Sequence, residues 1–214
     1  GLIFAHNSII QYTNITQVAG FVVSNSGEIS MSAVEAGTTS LNYGATIGNI
    51  SAKDISSGFV YQNTGSIYDC YVDLELVGNN QNTFYGFIAT QTNNSIARAY
   101  TYINQGVRTN NIRMFAPNGT EGISDCYELV LVQSGYINQI PGITTLDINN
   151  VSIMTQQSSY PAFAFGDNTS AVWKMTGGDL PKLVSCLERV EYTARENTDS
   201  MYYGLRNIRI ITTE

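Results

Sequence analysis

Along the first 125 residues, a short apolar phrase, a polar turn and an isoleucine follow one another repeatedly. Gly20-Phe21-Val22-Val23-Ser24-Asn25, Gly58-Phe59-Val60-Tyr61-Gln62-Asn63 and Gly86-Phe87-Ile88-Ala89-Thr90-Gln91 align without gaps. The turns read Asn25-Ser26-Gly27-Glu28-Ile29, Asn42-Tyr43-Gly44-Ala45-Thr46-Ile47 and Asn63-Thr64-Gly65-Ser66-Ile67. Looser copies are Asn7-Ser8-Ile9, Asn93-Asn94-Ser95-Ile96 and Asn118-Gly119-Thr120-Glu121-Gly122-Ile123.

The isoleucines at 9, 29, 47, 67, 96 and 123 are 20, 18, 20, 29 and 27 residues apart. One structural unit per step predicts a coil of about 19 residues. Two polar insertions, Gly78–Thr83 and Asn104–Asn111, lengthen the last steps and would form loops on one side of a stack. Asn and Gly tolerate positive φ and are expected at the corners, with Phe and Ile pointing inward on either side. A single coil cannot bury its apolar face, but stacked coils share a continuous core. Crossovers between parallel strands are right-handed. The pattern therefore predicts an all-β fold, a right-handed parallel β-helix (β-solenoid) with a C-terminal cap. A β-sandwich rich in Asn-Gly hairpins competes with it, but hairpins do not demand the same phrase at a fixed phase.

Composition agrees with strands. Only 13% of the 214 residues are charged, and 14 Tyr and 19 Gly accompany abundant Asn, Gln, Ser and Thr. Surface helices normally draw on Glu and Lys. The net charge of -7 and scattered basic residues argue against nucleic acid or an anionic membrane surface as partner. No apolar run approaches the roughly 20 residues that span a bilayer. Gly1-Leu2-Ile3-Phe4 reads as the middle of a repeat, so the expectation is a piece of a longer polypeptide.

The phrase Gly-Phe-(Val/Ile)-x-x-Asn-x-Gly-x-Ile resembles the GLUG repeat of large bacterial surface, secreted and phage-associated proteins. Such arrays often close with a Trp, a Gly-rich turn and Pro-x-Leu, and Trp173-Lys174-Met175-Thr176-Gly177-Gly178-Asp179-Leu180-Pro181-Lys182-Leu183 is similar. The resemblance implies a solenoid over residues 1–170, a capping segment over 171–184 built on Trp173, Gly177, Gly178, Pro181 and Leu183, and a tail over 185–214. Leu187–Tyr192 reads there as a short amphipathic piece and Tyr202–Ile211 as a final strand. A cap makes physical sense, because an open edge invites further pairing and a proline cannot donate to the ladder.

The segments after the turns also align: Ile67-Tyr68-Asp69-Cys70-Tyr71, Ile96-Ala97-Arg98-Ala99-Tyr100 and Ile123-Ser124-Asp125-Cys126-Tyr127. Stacked, they predict Asp69/Arg98/Asp125, Cys70/Ala99/Cys126 and Tyr71/Tyr100/Tyr127 ladders. Cys70 and Cys126 would lie about 9.6 Å apart, two strand spacings, too far for a disulfide. They are expected as free inward fillers. The charged ladder is either a cross-strand salt-bridge array or, by analogy with β-helix polysaccharide enzymes, a catalytic face. An adjacent cation favours the charged form of a carboxylate, which leaves no candidate general acid for glycoside cleavage. The tyrosines are expected as an outward aromatic strip, suited to sugars or docking proteins.

His6 is the only histidine, so catalytic triads are disfavoured, and no metal or nucleotide motif is present. The expectation is a non-enzymatic structural or adhesion module, without cofactor, of a larger secreted, cell-surface or virion protein. Its partners would be other domains of the polypeptide, assembly subunits or glycans, met on the face carrying Asp69, Arg98, Asp125, Tyr71, Tyr100 and Tyr127. The alternative is a polysaccharide depolymerase using the Asp69/Arg98/Asp125 face.

Overall fold

The computed structural model describes residues 2–5, 17–36, 46–48, 55–77, 83–92, 95–105, 112–130, 140–166 and 170–187. His6, Asn7-Ser8-Ile9, most of both polar insertions and the tail beyond Leu187 lie outside them.

The chain is mostly β, and its large sheets are parallel. Strand β1 (Leu2–Ala5) is followed by β2 (Gln17–Ala19), β3 (Val22–Asn25) and β4 (Glu28–Ala36). After β5 (Thr46–Gly48), the same three stations return as β6 (Ile55–Ser57), β7 (Val60–Asn63) and β8 (Ser66–Val77). They return again as β9 (Thr83–Tyr85), β10 (Ile88–Gln91) and β11 (Ile96–Gln105). Then come β12 (Ile112–Arg113), β13 (Ile123–Ser124), β14 (Cys126–Val130) and β15 (Ile143–Asp147). One sheet is ordered β12-β9-β6-β2, a second β10-β7-β3, and a long one β1-β4-β8-β11-β14-β15.

Register overturns the 19-residue unit. Ile29, Ile67, Ile96 and Ile123 are successive partners, so the passes are 38, 29 and 27 residues long. Ile47 pairs instead with Leu76, at the far end of β8. The physical reason lies upstream of each turn. Phe21, Phe59, Phe87 and Phe115 stack with ring centroids 4.9, 4.8 and 4.7 Å apart. The phrase before Ile47 has no Phe to join that column. Phe115, which follows Met114 instead of a glycine, is a member that sequence reading missed.

The three sheets contribute to one core containing Phe59, Val60, Ile67, Cys70, Phe84, Phe87, Ile96 and Phe115. Asn25 Nδ2 donates to Asn63 Oδ1 at 2.7 Å, and Asn63 Nδ2 lies 3.4 Å from Gln91 Oε1, so a polar column runs beside the rings. Each Asn also folds back on its own turn: Asn25 Oδ1 accepts from Gly27 N at 3.1 Å and Asn63 Oδ1 from Gly65 N at 3.3 Å. The turn therefore uses the Asn side chain. Gly119 (78°) and Gly122 (74°) supply positive φ in the last turn phrase, as expected of corner glycines, whereas Gly20, Gly27, Gly58, Gly65 and Gly86 do not. Gly58 is needed for space, because a Cβ there would meet Gly86 O at 2.1 Å.

Among the described non-glycine residues, positive φ falls on one column: Met31 (46°), Asp69 (52°), Arg98 (51°) and Asp125 (52°). These occupy equivalent places in successive passes. In a regular strand, residues three apart point to opposite faces. The left-handed residue resets the alternation, so Ile67 and Cys70 both face the core, while Tyr71 faces out of it. The column is costly for non-glycine residues, at roughly 1–2 kcal/mol each, and is sustained by the packing on either side.

A second cluster covers the outer face of the long sheet. It combines Tyr71, Tyr100, Tyr127 and Leu129 with Met154, Tyr160, Phe163, Trp173 and Leu183. Its C-terminal part includes single helical turns α1 (Val151–Met154) and α2 (Val184–Leu187), and the antiparallel pair β16 (Trp173–Lys174) and β17 (Lys182–Leu183). Gly178, at φ 89°, makes the turn between them, where Asp179 N donates to Thr176 O at 2.9 Å.

Candidate functional site

The tyrosine strip points away from the core, as its register predicts, but it is covered. Tyr71 and Tyr100 are fully buried and Tyr127 nearly so. Their rings meet the C-terminal segment: Trp173 lies 6.0 Å from both Tyr71 and Tyr100, and stacks on Phe163 at 4.3 Å. Burial raises the pKa of all three phenols. An open strip for sugars or docking proteins is thus corrected to an internal interface. The reason is the size of the apolar surface: three adjacent rings bury a large area once a segment of the same chain can reach them.

Trp173 packs on Tyr71 of β8 and Tyr100 of β11, and β17 lies against β4, so the segment predicted as a cap reaches the outer face of the long sheet as a lateral clasp. Pro181 takes part through its carbonyl, which accepts from Tyr100 OH at 2.6 Å. Gly177 and Gly178 are exposed turn residues. Among the described residues the last strand of the long sheet is β15, and Tyr160 and Phe163 share the cluster of Trp173 across the predicted 170/171 boundary.

Two polar anchors hold the clasp. The first is Asp69. Arg98 grips it with Nε on Oδ1 and Nη2 on Oδ2, both at 2.8 Å, and Trp173 Nε1 donates to Oδ1 at 3.0 Å. Both carboxylate oxygens are engaged. The Asp69 hydrogen bond raises the pKa of Arg98, against the effect of burial. Arg98 also sits 5.7 Å from the ring centroid of Tyr68, whose pKa is lowered by hydrogen bonds with Ser66 and Ser95. Asp125, the third rung, is exposed. The Asp69–Arg98 half of the predicted ladder is therefore a bidentate pair, tied to a tryptophan rather than open to a substrate.

The second anchor is Lys182, which lies 2.6 Å from Glu35 Oε1 and 2.9 Å from Asp73 Oδ2. Sequence reading missed this group. Its signal was present, since Glu35 and Asp73 each stand six residues beyond the turn isoleucine of their pass and are register partners. Only the position of Lys182 could not be read from the repeats.

Cys70 and Cys126 are free and buried, with the strand carrying Ala99 between them. Burial pushes both thiols up to about 12. Their Sγ atoms point at strand carbonyls, Tyr68 O at 3.1 Å and Ser124 O at 3.2 Å. Among the described residues, no three His, Cys, Asp or Glu are grouped to hold a metal, and no helix is long and apolar enough to cross a membrane.

No family model, curated protein or solved structure matches the chain.

Proposed function

We propose that the chain is a stretch of right-handed β-solenoid, of the GLUG-like kind its repeats resemble. It serves as a non-enzymatic spacer or binding module in a larger secreted, cell-surface or virion protein. Three parallel sheets revisited in one order support the winding, and the right-handed preference of such crossovers supplies its hand. The observation that carries the role is the fate of Asp69. The residue best placed for chemistry is held by Arg98 on both oxygens and by Trp173 on one. It holds the clasp together, and the aromatic strip beside it is spent on the same contact. The surfaces left for glycans or assembly partners are the outer edges of the passes, including Asp125 and Met31.

Release of reducing ends from capsular and cell-wall glycans tests this role. The wild-type chain should release none above background, and Asp125→Asn should match it. Release that is present in wild type and lost in Asp69→Asn/Asp125→Asn would establish the depolymerase instead.

A further inference from the structure

Lys182 stands between two carboxylates that adjacent strands place side by side. Its Nζ lies 2.6 Å from Glu35 Oε1 on β4 and 2.9 Å from Asp73 Oδ2 on β8. Tyr71 OH also donates to Glu35 Oε1, and the ammonium sits 5.0 Å from the Tyr71 ring centroid. Tyr71 and Tyr100, both fully buried, form the neighbouring wall. The three charged side chains keep only 24% (Lys182), 18% (Glu35) and 21% (Asp73) of their surface exposed.

The charges in this group do not balance, since two carboxylates face one ammonium. Where water is scarce, one acid of such a group is favoured in its neutral form. Burial raises the pKa of Asp73 against the opposing pull of Lys182. Burial alone would lower that of Lys182, but Asp73 and Glu35 outweigh it. Glu35 also accepts from Tyr71 OH, so it touches both the Lys182 ammonium and a phenol. The Lys182 amino group and the two carboxyl groups are thus held at contact distance by two strands and the clasp.

We infer that Lys182 and Asp73 condense into an intramolecular amide, with Glu35 as proton carrier, tying the C-terminal clasp covalently to the long sheet. Glu35 takes a proton from the Lys182 ammonium, and the freed amine attacks Asp73 Cγ. The Nζ–Cγ bond forms, and a second amine proton passes through Glu35 to the departing hydroxyl. The Cγ–Oδ bond breaks and one water leaves. Glu35 ends holding the first ammonium proton, which it returns to solvent. No electron is transferred and no co-reactant is required. Fixed contact replaces the entropy of a bimolecular encounter, which is what makes amide condensation feasible at such a site. The partial exposure of the group gives the water a way out. This inference rests on the cluster alone and does not depend on the role proposed above.

Intact mass of the folded wild-type chain, followed by tandem mass spectrometry of a digest, tests it. The expected mass is lower than the sequence mass by one water, with a branched peptide joining Lys182 to Asp73. Lys182→Arg and Glu35→Gln should restore the full mass and lose the branch. Asp73→Asn should still form the branch, with ammonia leaving instead of water. The full sequence mass in folded wild type after prolonged incubation at neutral pH would overturn the inference. So would a water loss without the Lys182–Asp73 branch, and a branch that persists in Glu35→Gln would remove Glu35 from the reaction.

Discussion

The indole N–H of Trp173 donates to Asp69 Oδ1 at 3.0 Å, joining two residues 104 positions apart in the chain. Asp69 reaches this position because its left-handed backbone resets the strand. Trp173 reaches it because the tyrosine column beside Asp69 offers a broad apolar bed. One contact thus links the strained column, the ion pair and the aromatic interface.

Replacing Trp173 should separate these parts. Trp173→Phe keeps much of the packing but leaves Asp69 to Arg98 alone, at a cost of about 1–2 kcal/mol. Trp173→Ala also empties the bed and should cost about 3–5 kcal/mol. Denaturant midpoints followed by far-ultraviolet circular dichroism give both values. A double-mutant cycle with Asp69→Asn should show coupling of about 0.5–3 kcal/mol. Additive effects would mean that the hydrogen bond does not connect the sites.

Glycines of one phrase should differ sharply in tolerance. A Cβ at Gly58 would meet Gly86 O at 2.1 Å, whereas one at Gly27 meets nothing within 4 Å. Gly58→Ala should force neighbouring passes apart and cost about 1–3 kcal/mol or more, with Gly27→Ala within about 0.5 kcal/mol of wild type. Thermal melts of the two variants side by side check this. Equal effects would contradict the close stacking.

Asn63 should behave as a structural core residue despite its polarity. It is fully buried, accepts from Asn25 Nδ2 and Gly65 N, and donates to Gly65 O at 2.8 Å. Asn63→Ala strands several of these groups and should cost about 2–4 kcal/mol, since each unsatisfied buried group costs about 1–3 kcal/mol. Hydrogen exchange should rise in the turns at 25–27 and 63–65 together.

Alkali should destabilise the fold before it damages the chain. Ordinary thiols titrate near 9.0 and phenols near 10.0, whereas burial pushes Cys70 and Cys126 up to about 12 and raises Tyr71 and Tyr100. The unfolded chain therefore loses these protons first. The stability contribution is intact below pH 9 and is lost as pH climbs from there towards 12. Denaturant midpoints across that range should fall steadily. Cys70 and Cys126 should also resist alkylation at mildly alkaline pH until the protein unfolds.

Much of this was legible in the residues. The Gly-Phe phrases and turn isoleucines mark parallel passes because stacking puts identical residues in register, and identity repeats visibly in a sequence. The inward Cys column and the Asp69–Arg98 adjacency followed from the same alignment. The length of a pass was misread where the turn phrase at 42–47 imitates the motif without its phenylalanine. Local phrases do not report which strand they pair with, and Ile47 found Leu76.

What lies outside the repeats was a different matter. Periodicity said that Tyr71, Tyr100 and Tyr127 leave the core, and this holds. It could not say whether water or protein lies beyond them, because that depends on where a non-repeating segment settles. The sequence by itself determined the columns: rings on rings, amides on amides, and Cys70, Ala99 and Cys126 in line along the core. Tertiary structure alone decided that Trp173, Pro181 and Lys182 close over the outer face. Their partners are separated from them by 104, 81 and 109 or more residues. Such contacts are chosen by the shape and charge of a surface that exists only once the passes have stacked.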